Sequence, residues 1–179
     1  MIILTGPPGS GKSVQGQLLA ARRGWRWLST GQLLRDQKEP AVMAELAAGR
    51  MIDDDLVNRV MERALHDAQD IERLVIDGFP RHLAQAEWLL ATLPKHGREI
   101  KCVVVFDVSE DVIAQRLALR GRADDKPDII RSRIADYRSQ TEPIIDFYKQ
   151  NGLSVCRLPA GGSIDDVYGR LQEIIERGC

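Results

Sequence analysis

Cysteine is scarce in this chain of 179 residues: Cys102, Cys156 and Cys179 are odd in number, far apart and form no C-x-x-C pair. Such spacing gives no reason to expect a disulfide framework or a zinc site, and it suits a reducing compartment. Histidine is as rare, and His66, His82 and His96 are scattered, so no Ser-His-acid or Cys-His set for nucleophilic catalysis suggests itself. Net charge is nearly absent too, at −1 from 25 basic and 26 acidic residues. No whole-molecule field therefore draws in nucleic acid or an anionic membrane. No apolar stretch reaches membrane-spanning length, and no basic segment precedes a cleavable apolar one, so a soluble, cytoplasmic protein is expected. Repeats, low-complexity tracts and linkers are lacking, which leaves one domain, and no long apolar surface stripe argues against a monomer. Lysine is heavily outnumbered by arginine, whose planar fork grips phosphate through two bonds at once.

What is present begins with Gly6-Pro7-Pro8-Gly9-Ser10-Gly11-Lys12-Ser13, directly after the apolar run Met1-Ile2-Ile3-Leu4. The segment fits the phosphate-binding P-loop at every fixed position. Its glycines let successive N–H groups point into one concavity, to which the following helix start adds partial positive charge. Lys12 can then reach the outer phosphates, and the Ser13 hydroxyl is a candidate direct ligand of Mg²⁺, which takes few protein ligands and keeps several waters. A nucleotide polyphosphate is the expected ligand.

Four more apolar runs follow, Arg26-Trp27-Leu28, Leu74-Val75-Ile76, Cys102 to Phe106 and Leu153 to Cys156, separated by amphipathic segments. The alternation predicts an α/β fold, a five-stranded parallel sheet with helices on both faces, and ligands beyond the carboxyl ends of its strands. Helices are expected at about 13–23, 56–66, 84–93, 110–120, 129–137, 142–150 and 164–177. Two stretches do not fit a plain crossover: the long connection after Ser29, an excursion at about 30–58, and a polar segment at about 120–126 that suits a lid. Among Asp53, Asp54 and Asp55, one is expected to cap the helix that follows, and none is given chemistry. Arg116 and Arg120 lie four apart, about 40° from each other around a helix, so both can face a nucleotide.

Asp77-Gly78-Phe79-Pro80-Arg81 follows the third apolar run. Taken with Ser29-Thr30-Gly31-Gln32-Leu33-Leu34-Arg35, with Gln85, with Arg116, Arg120, Arg122 and Arg133, and with the segment Ala160 to Val167, the chain closely resembles adenylate kinases of the short-lid form. The resemblance implies reversible phosphoryl transfer from MgATP to AMP, giving two ADP. It implies that Lys12, Arg81, Arg122 and Arg133 are catalytic. ATP would be held by Gly9, Ser10, Gly11, Lys12, Ser13, Val14, Arg116, Arg120 and Gly162. AMP would be held by Thr30, Arg35, Ile52, Gly78, Arg81, Gln85, Arg122 and Arg133. Asp77 would reach Mg²⁺ through water, and Asp124 and Asp125 would pin the lid to its hinge. Physical chemistry agrees, because such transfer needs two anions held in line, their charge neutralised and water excluded, with little covalent help.

Thr30 and Gln85 match the adenylate form, whereas uridylate/cytidylate kinases tend to have alanine and asparagine there, so AMP is the expected acceptor. UMP, CMP or dAMP as acceptor, and a nucleotide-dependent binding factor without transfer, remain the competing readings. The chain also departs from the family. Lys12-Ser13-Val14-Gln15 stands where lysine-glycine-threonine-glutamine is usual, Gln32 replaces an acidic residue, and only Gly121 separates Arg120 from Arg122. So short a lid is expected to exclude water less well.

Overall fold

The computed structural model describes residues 1–178. Five strands, β1 (Ile2–Thr5), β2 (Arg26–Ser29), β3 (Leu74–Asp77), β4 (Cys102–Asp107) and β5 (Val155–Pro159), form one parallel sheet in the order β2-β3-β1-β4-β5. The runs are apolar throughout because both faces are covered. Ile3, Leu74, Ile76 and Val103 point into one core, and Ile2, Leu4, Val75, Val104 and Phe106 into the other, following the two-residue period of a strand.

The second core is closed by α1 (Lys12–Arg23) and α9 (Ile164–Glu176), through Leu19 and through Val167, Tyr168 and Leu171. A Cβ at Gly16 would lie 2.4 Å from Trp27 Cδ1, so only glycine lets α1 lie this close to β2. The first core is closed by α4 (Asp54–His66), α5 (Leu83–Thr92) and α8 (Glu142–Gln150). Along α4, Val57, Met61 and Leu65 form a buried stripe in which each side chain contributes about 1.5–3 kcal/mol relative to exposure. Between them in sequence lie α2 (Thr30–Asp36), α3 (Pro40–Ala47), α6 (Glu110–Arg120) and α7 (Pro127–Asp136).

The five-stranded parallel architecture is as the apolar runs predict. Two details differ. The connection after Ser29 holds α2 and α3, whose Leu34 and Val42 are buried in the first core. The last strand begins two residues later than its apolar run, because Gly152 and Leu153 bond back to Lys149 and Tyr148 and close α8. Asp53 is the cap expected for α4, its carboxylate accepting from the Leu56 N–H at 3.1 Å. Cys102 is disulfide-bonded, against expectation, since spacing along a chain does not tell which segments the sheet brings to the start of β4. Cys156 is a free thiol, and Cys179 lies outside the described residues. Among the described residues no helix is long and apolar enough to cross a membrane.

Candidate active site

The carboxyl ends of β1 and β3 open into a cavity of about 530 Å³ lined by the P-loop, the turn after β3, and residues of α2, α6 and α7. Gly6 leaves β1 with φ of 145°, and a Cβ there would sit 2.8 Å from the Phe106 carbonyl oxygen. The turn therefore needs glycine. No acidic residue occupies the first turn of α1, so the partial positive charge of that helix start is left for an anion.

Lys12 is curled back over its own loop. Its Nζ donates to Gly6 O at 2.7 Å, Pro7 O at 2.8 Å and Ser10 Oγ at 3.0 Å. Burial lowers its pKa from 10.5 to about 8, with Asp77 opposing the shift and Arg133, Arg81 and Arg120 adding to it. The depressed value means that the charged form costs folding stability below pH 8, a cost relieved as pH rises from about 8 toward 10.5. The effect on ligand affinity has the opposite sign, because a polyphosphate needs the charge. Affinity for ATP should fall as pH rises through about 8, with proton uptake on binding above that pH. Calorimetry in buffers of differing ionisation enthalpy checks this; flat affinity from about pH 7 to about 9.5 contradicts it.

Ser13 Oγ donates to Asp77 Oδ2 at 2.6 Å, and Asp77 is 2% exposed at the end of β3. Two hard oxygen donors side by side at a phosphate-binding loop fit Mg²⁺, which is held by one or two protein oxygens together with phosphates and water. Among the described residues no group of three or more His, Cys, Asp or Glu could hold a metal.

The arginines fall into two sets. Arg120 is paired with Asp125 and, at 3.8 Å, with Asp124, while Arg133 is paired with Asp124. Asp125 also accepts from the Arg122 N–H at 2.8 Å. The acidic pair thus ties both ends of the Gly121 turn to α7. Arg116 reaches Ser10 O at 3.1 Å and Ala160 O at 2.8 Å, with Gly162 O at 3.4 Å, joining the P-loop to the loop before α9. The other set, Arg35, Arg81 and Arg122, lines the same cavity with no carboxylate within ion-pair distance among the described residues. Arg35 Nη1 donates to Gly31 O at 2.8 Å and Arg81 Nε to Gly78 O at 3.3 Å. Burial lowers the pKa of Arg81 and of Arg122, and an anion would relieve that cost.

Gly9, Ser10, Gly11, Lys12, Ser13, Val14, Asp77, Gly78, Arg116, Arg120, Arg122, Arg133 and Gly162 all line the cavity. Three expected acceptor residues, Thr30, Ile52 and Gln85, are not among the residues lining it, whereas Ser29, Gly31, Gly49 and Met51 are. Thr30 is 3% exposed, and its hydroxyl has no partner among the described residues. Gln85 Oε1 accepts from Arg81 N–H at 2.9 Å, and its Nε2 donates to Asp54 Oδ1 at 2.7 Å. His82 Nε2 donates to the same oxygen at 2.8 Å. Asp54 and His82 carried no chemistry in the sequence, since a capping aspartate and a lone histidine have no motif. Thr141, Asp136 and Tyr137 also line the cavity, Tyr137 four residues after Arg133 in sequence.

A family model described as adenylate kinase matches residues 4–153. The chain belongs to the adenylate kinase family. It is 38% identical over 180 residues to an adenylate kinase of Synechococcus sp. (strain WH7803), covering 96% of each chain. Against the adenylate kinase of Stenotrophomonas maltophilia (strain R551-3) it is 35% identical over 187 residues, covering 98% of each. The adenylate kinase of Mycolicibacterium paratuberculosis (strain ATCC BAA-968 / K-10) is 36% identical over 175 residues, with 94% of this chain and 95% of the relative covered.

Proposed function

We propose that this adenylate kinase catalyses reversible phosphoryl transfer from MgATP to AMP, giving two ADP. One observation carries the assignment: a single cavity is lined both by the P-loop with Lys12, braced by Arg116, and by a second pair of cations without an ion-paired carboxylate among the described residues, Arg35 and Arg81. A nucleotide-binding loop alone serves many functions, but a separate anion receptor facing it within one cavity serves a second phosphorylated substrate.

The P-loop amides from Gly9 to Val14 hold the donor phosphates, with Arg116 and Arg120 beside them and Gly162 near the base. Arg35 and Arg81 hold the acceptor phosphate. Lys12, Arg122 and Arg133 neutralise the charge on the group in transfer, which is the main demand of a reaction with little covalent character. Ser13 would hold Mg²⁺ directly and Asp77 through water; when bound, the metal supplies charge neutralisation to the outer phosphates. Arg120 and Arg133 are tied to Asp125 and Asp124, so a phosphate that recruits them competes with those carboxylates.

The test is ADP formation from MgATP with AMP, UMP, CMP, GMP and dAMP at equal concentration, beside an acceptor-free control. AMP is expected to lead by a wide margin. Slow ATP hydrolysis is expected in the control, above that of longer-lid relatives, because a Gly121-only lid leaves water access. Preference for another base overturns the acceptor assignment, and no transfer to any acceptor favours a nucleotide-dependent binding factor. Undetectable hydrolysis with fast AMP phosphorylation removes the leak.

A further inference from the structure

The carbonyls of Pro159, Ala160, Gly161 and Gly162 are each held by a guanidinium, and they are held in alternation. Arg116 Nη2, on α6, donates to Ala160 O at 2.8 Å and to Gly162 O at 3.4 Å. Arg170 Nη1, on α9, donates to Pro159 O at 2.7 Å and to Gly161 O at 2.8 Å. The segment has little else to shape it. Ala160 N–H donates to Asp107 O at 2.7 Å, but two glycines follow, the residues that lose most conformational freedom on being ordered. A Cβ at Gly161 would meet nothing within 4 Å. Fixed structure resumes at Ser163, which with Asp166 forms the capping box of α9. Gly162, with φ of 96°, turns its Cα toward that helix start: a Cβ there would lie 3.2 Å from Asp166 Oδ2 and 3.6 Å from Arg170 Nη2. Arg116, Gly162, Ser163 and Ile164 line the nucleotide cavity, whereas the half-buried Arg170 is not among its lining residues.

From this alternation we infer that Arg170 is a positioning residue for the donor nucleotide: it holds residues 159–162 in the shape that Arg116 ties to the P-loop, and so fixes the cavity wall at Gly162. The inference rests on the proposed transfer, in which Arg116 and Gly162 lie on the ATP side. Without Arg170, Pro159 O and Gly161 O turn to water and the two glycines regain their freedom. Binding ATP must then order them again, which weakens the donor complex. Arg116 keeps its bond from Nη1 to Ser10 O at 3.1 Å, but the partner of its Nη2 moves. The acceptor side is spared, because Arg35 and Arg81 bond to Gly31 O and Gly78 O, on other elements.

The test is steady-state kinetics of Arg170→Met, in which the stem remains and the donors are gone, beside a thermal melt. KM for MgATP is expected to rise about fivefold to tenfold, with KM for AMP and kcat at saturation within about twofold of the unaltered enzyme. A merely structural arginine would lower Tm and leave KM for MgATP in place. Arg22→Ala is the control for helix anchoring: Arg22 donates through Nη1 and Nη2 to Asp165 Oδ1 at 3.0 Å and ties the first turn of α9 to α1, with no bond to residues 159–162. Its removal leaves KM for MgATP unchanged. If Arg170→Met does not fold, Arg170→Ala is read in the same way. An unchanged KM for MgATP in a folded Arg170 variant, an equal rise in KM for AMP, or an equal rise in Arg22→Ala overturns the inference while AMP transfer stands. No transfer to AMP by the unaltered enzyme overturns the underlying reading and this one together.

Discussion

Lys12→Ala is expected to lower kcat by about 10³-fold, or ~4 kcal/mol of transition-state stabilisation, while leaving the fold intact. The rate loss follows from position: Lys12 is the cation at the head of α1, in the cavity that Arg35 and Arg81 also line, and no other lysine lines that cavity among the described residues. Stability should hold because the charged amine is desolvated in the fold, which already costs free energy below pH 8. Its removal frees Gly6 O, Pro7 O and Ser10 Oγ toward a cavity that water can enter. Steady-state kinetics with MgATP and AMP, beside a thermal melt, checks both halves. Turnover within tenfold of normal would take Lys12 out of the transfer step, and a collapse of Tm would recast it as a structural residue.

Arg81→Ala is expected to raise KM for AMP by about 10²–10³-fold, as two charge-assisted bonds to a phosphate disappear. ATP affinity should stay within about twofold, because the side-chain hydrogen bonds of Arg81 run to Gly78 O and, weakly, to Met51 Sδ and none runs to the P-loop among the described residues. The backbone of Arg81 is held independently, its carbonyl by Thr141 Oγ1 at 2.6 Å and its N–H by Gln85. Alanine therefore deletes the cation without releasing the turn. Binding of each nucleotide alone, measured by calorimetry, separates the cases: an equal loss for ATP would mean that Arg81 belongs to the donor site.

The parts of this enzyme that were legible in its sequence are those whose information is local. A P-loop spells out its turn, its amides and its lysine within eight consecutive residues, and strands buried on both faces read as apolar runs. Helices α2 and α3 were not legible because each is too short, seven and eight residues, to show a stripe; tertiary contacts of Leu34 and Val42 stabilise them. The three consecutive aspartates show the limit most sharply. Asp53 and Asp54 are chemically identical neighbours, yet one caps α4 and the other accepts from Gln85, a difference set by which way each side chain leaves the helix start. Likewise, the resemblance put Thr30, Ile52 and Gln85 on the acceptor side, but which residues of the excursion line the cavity depends on how it packs, and these three do not.

The two arginine sets bear on the order in which the cavity fills. On the lid side, Arg120 and Arg133 each have a carboxylate partner, whereas Arg122 has none among the described residues. On the far side, Arg35 and Arg81 hydrogen-bond to carbonyl and sulfur atoms and make no ion pair among the described residues, although Asp77, Asp124 and Asp136 act on Arg81 at longer range. A small dianion diffusing in is thus expected to meet cations free of ion pairs at Arg35, Arg81 and Arg122, whereas Arg120 and Arg133 must first trade an internal counter-ion for an external one. The aspartates act as placeholders for phosphate: they store the lid's positive charge at little cost until a better anion arrives.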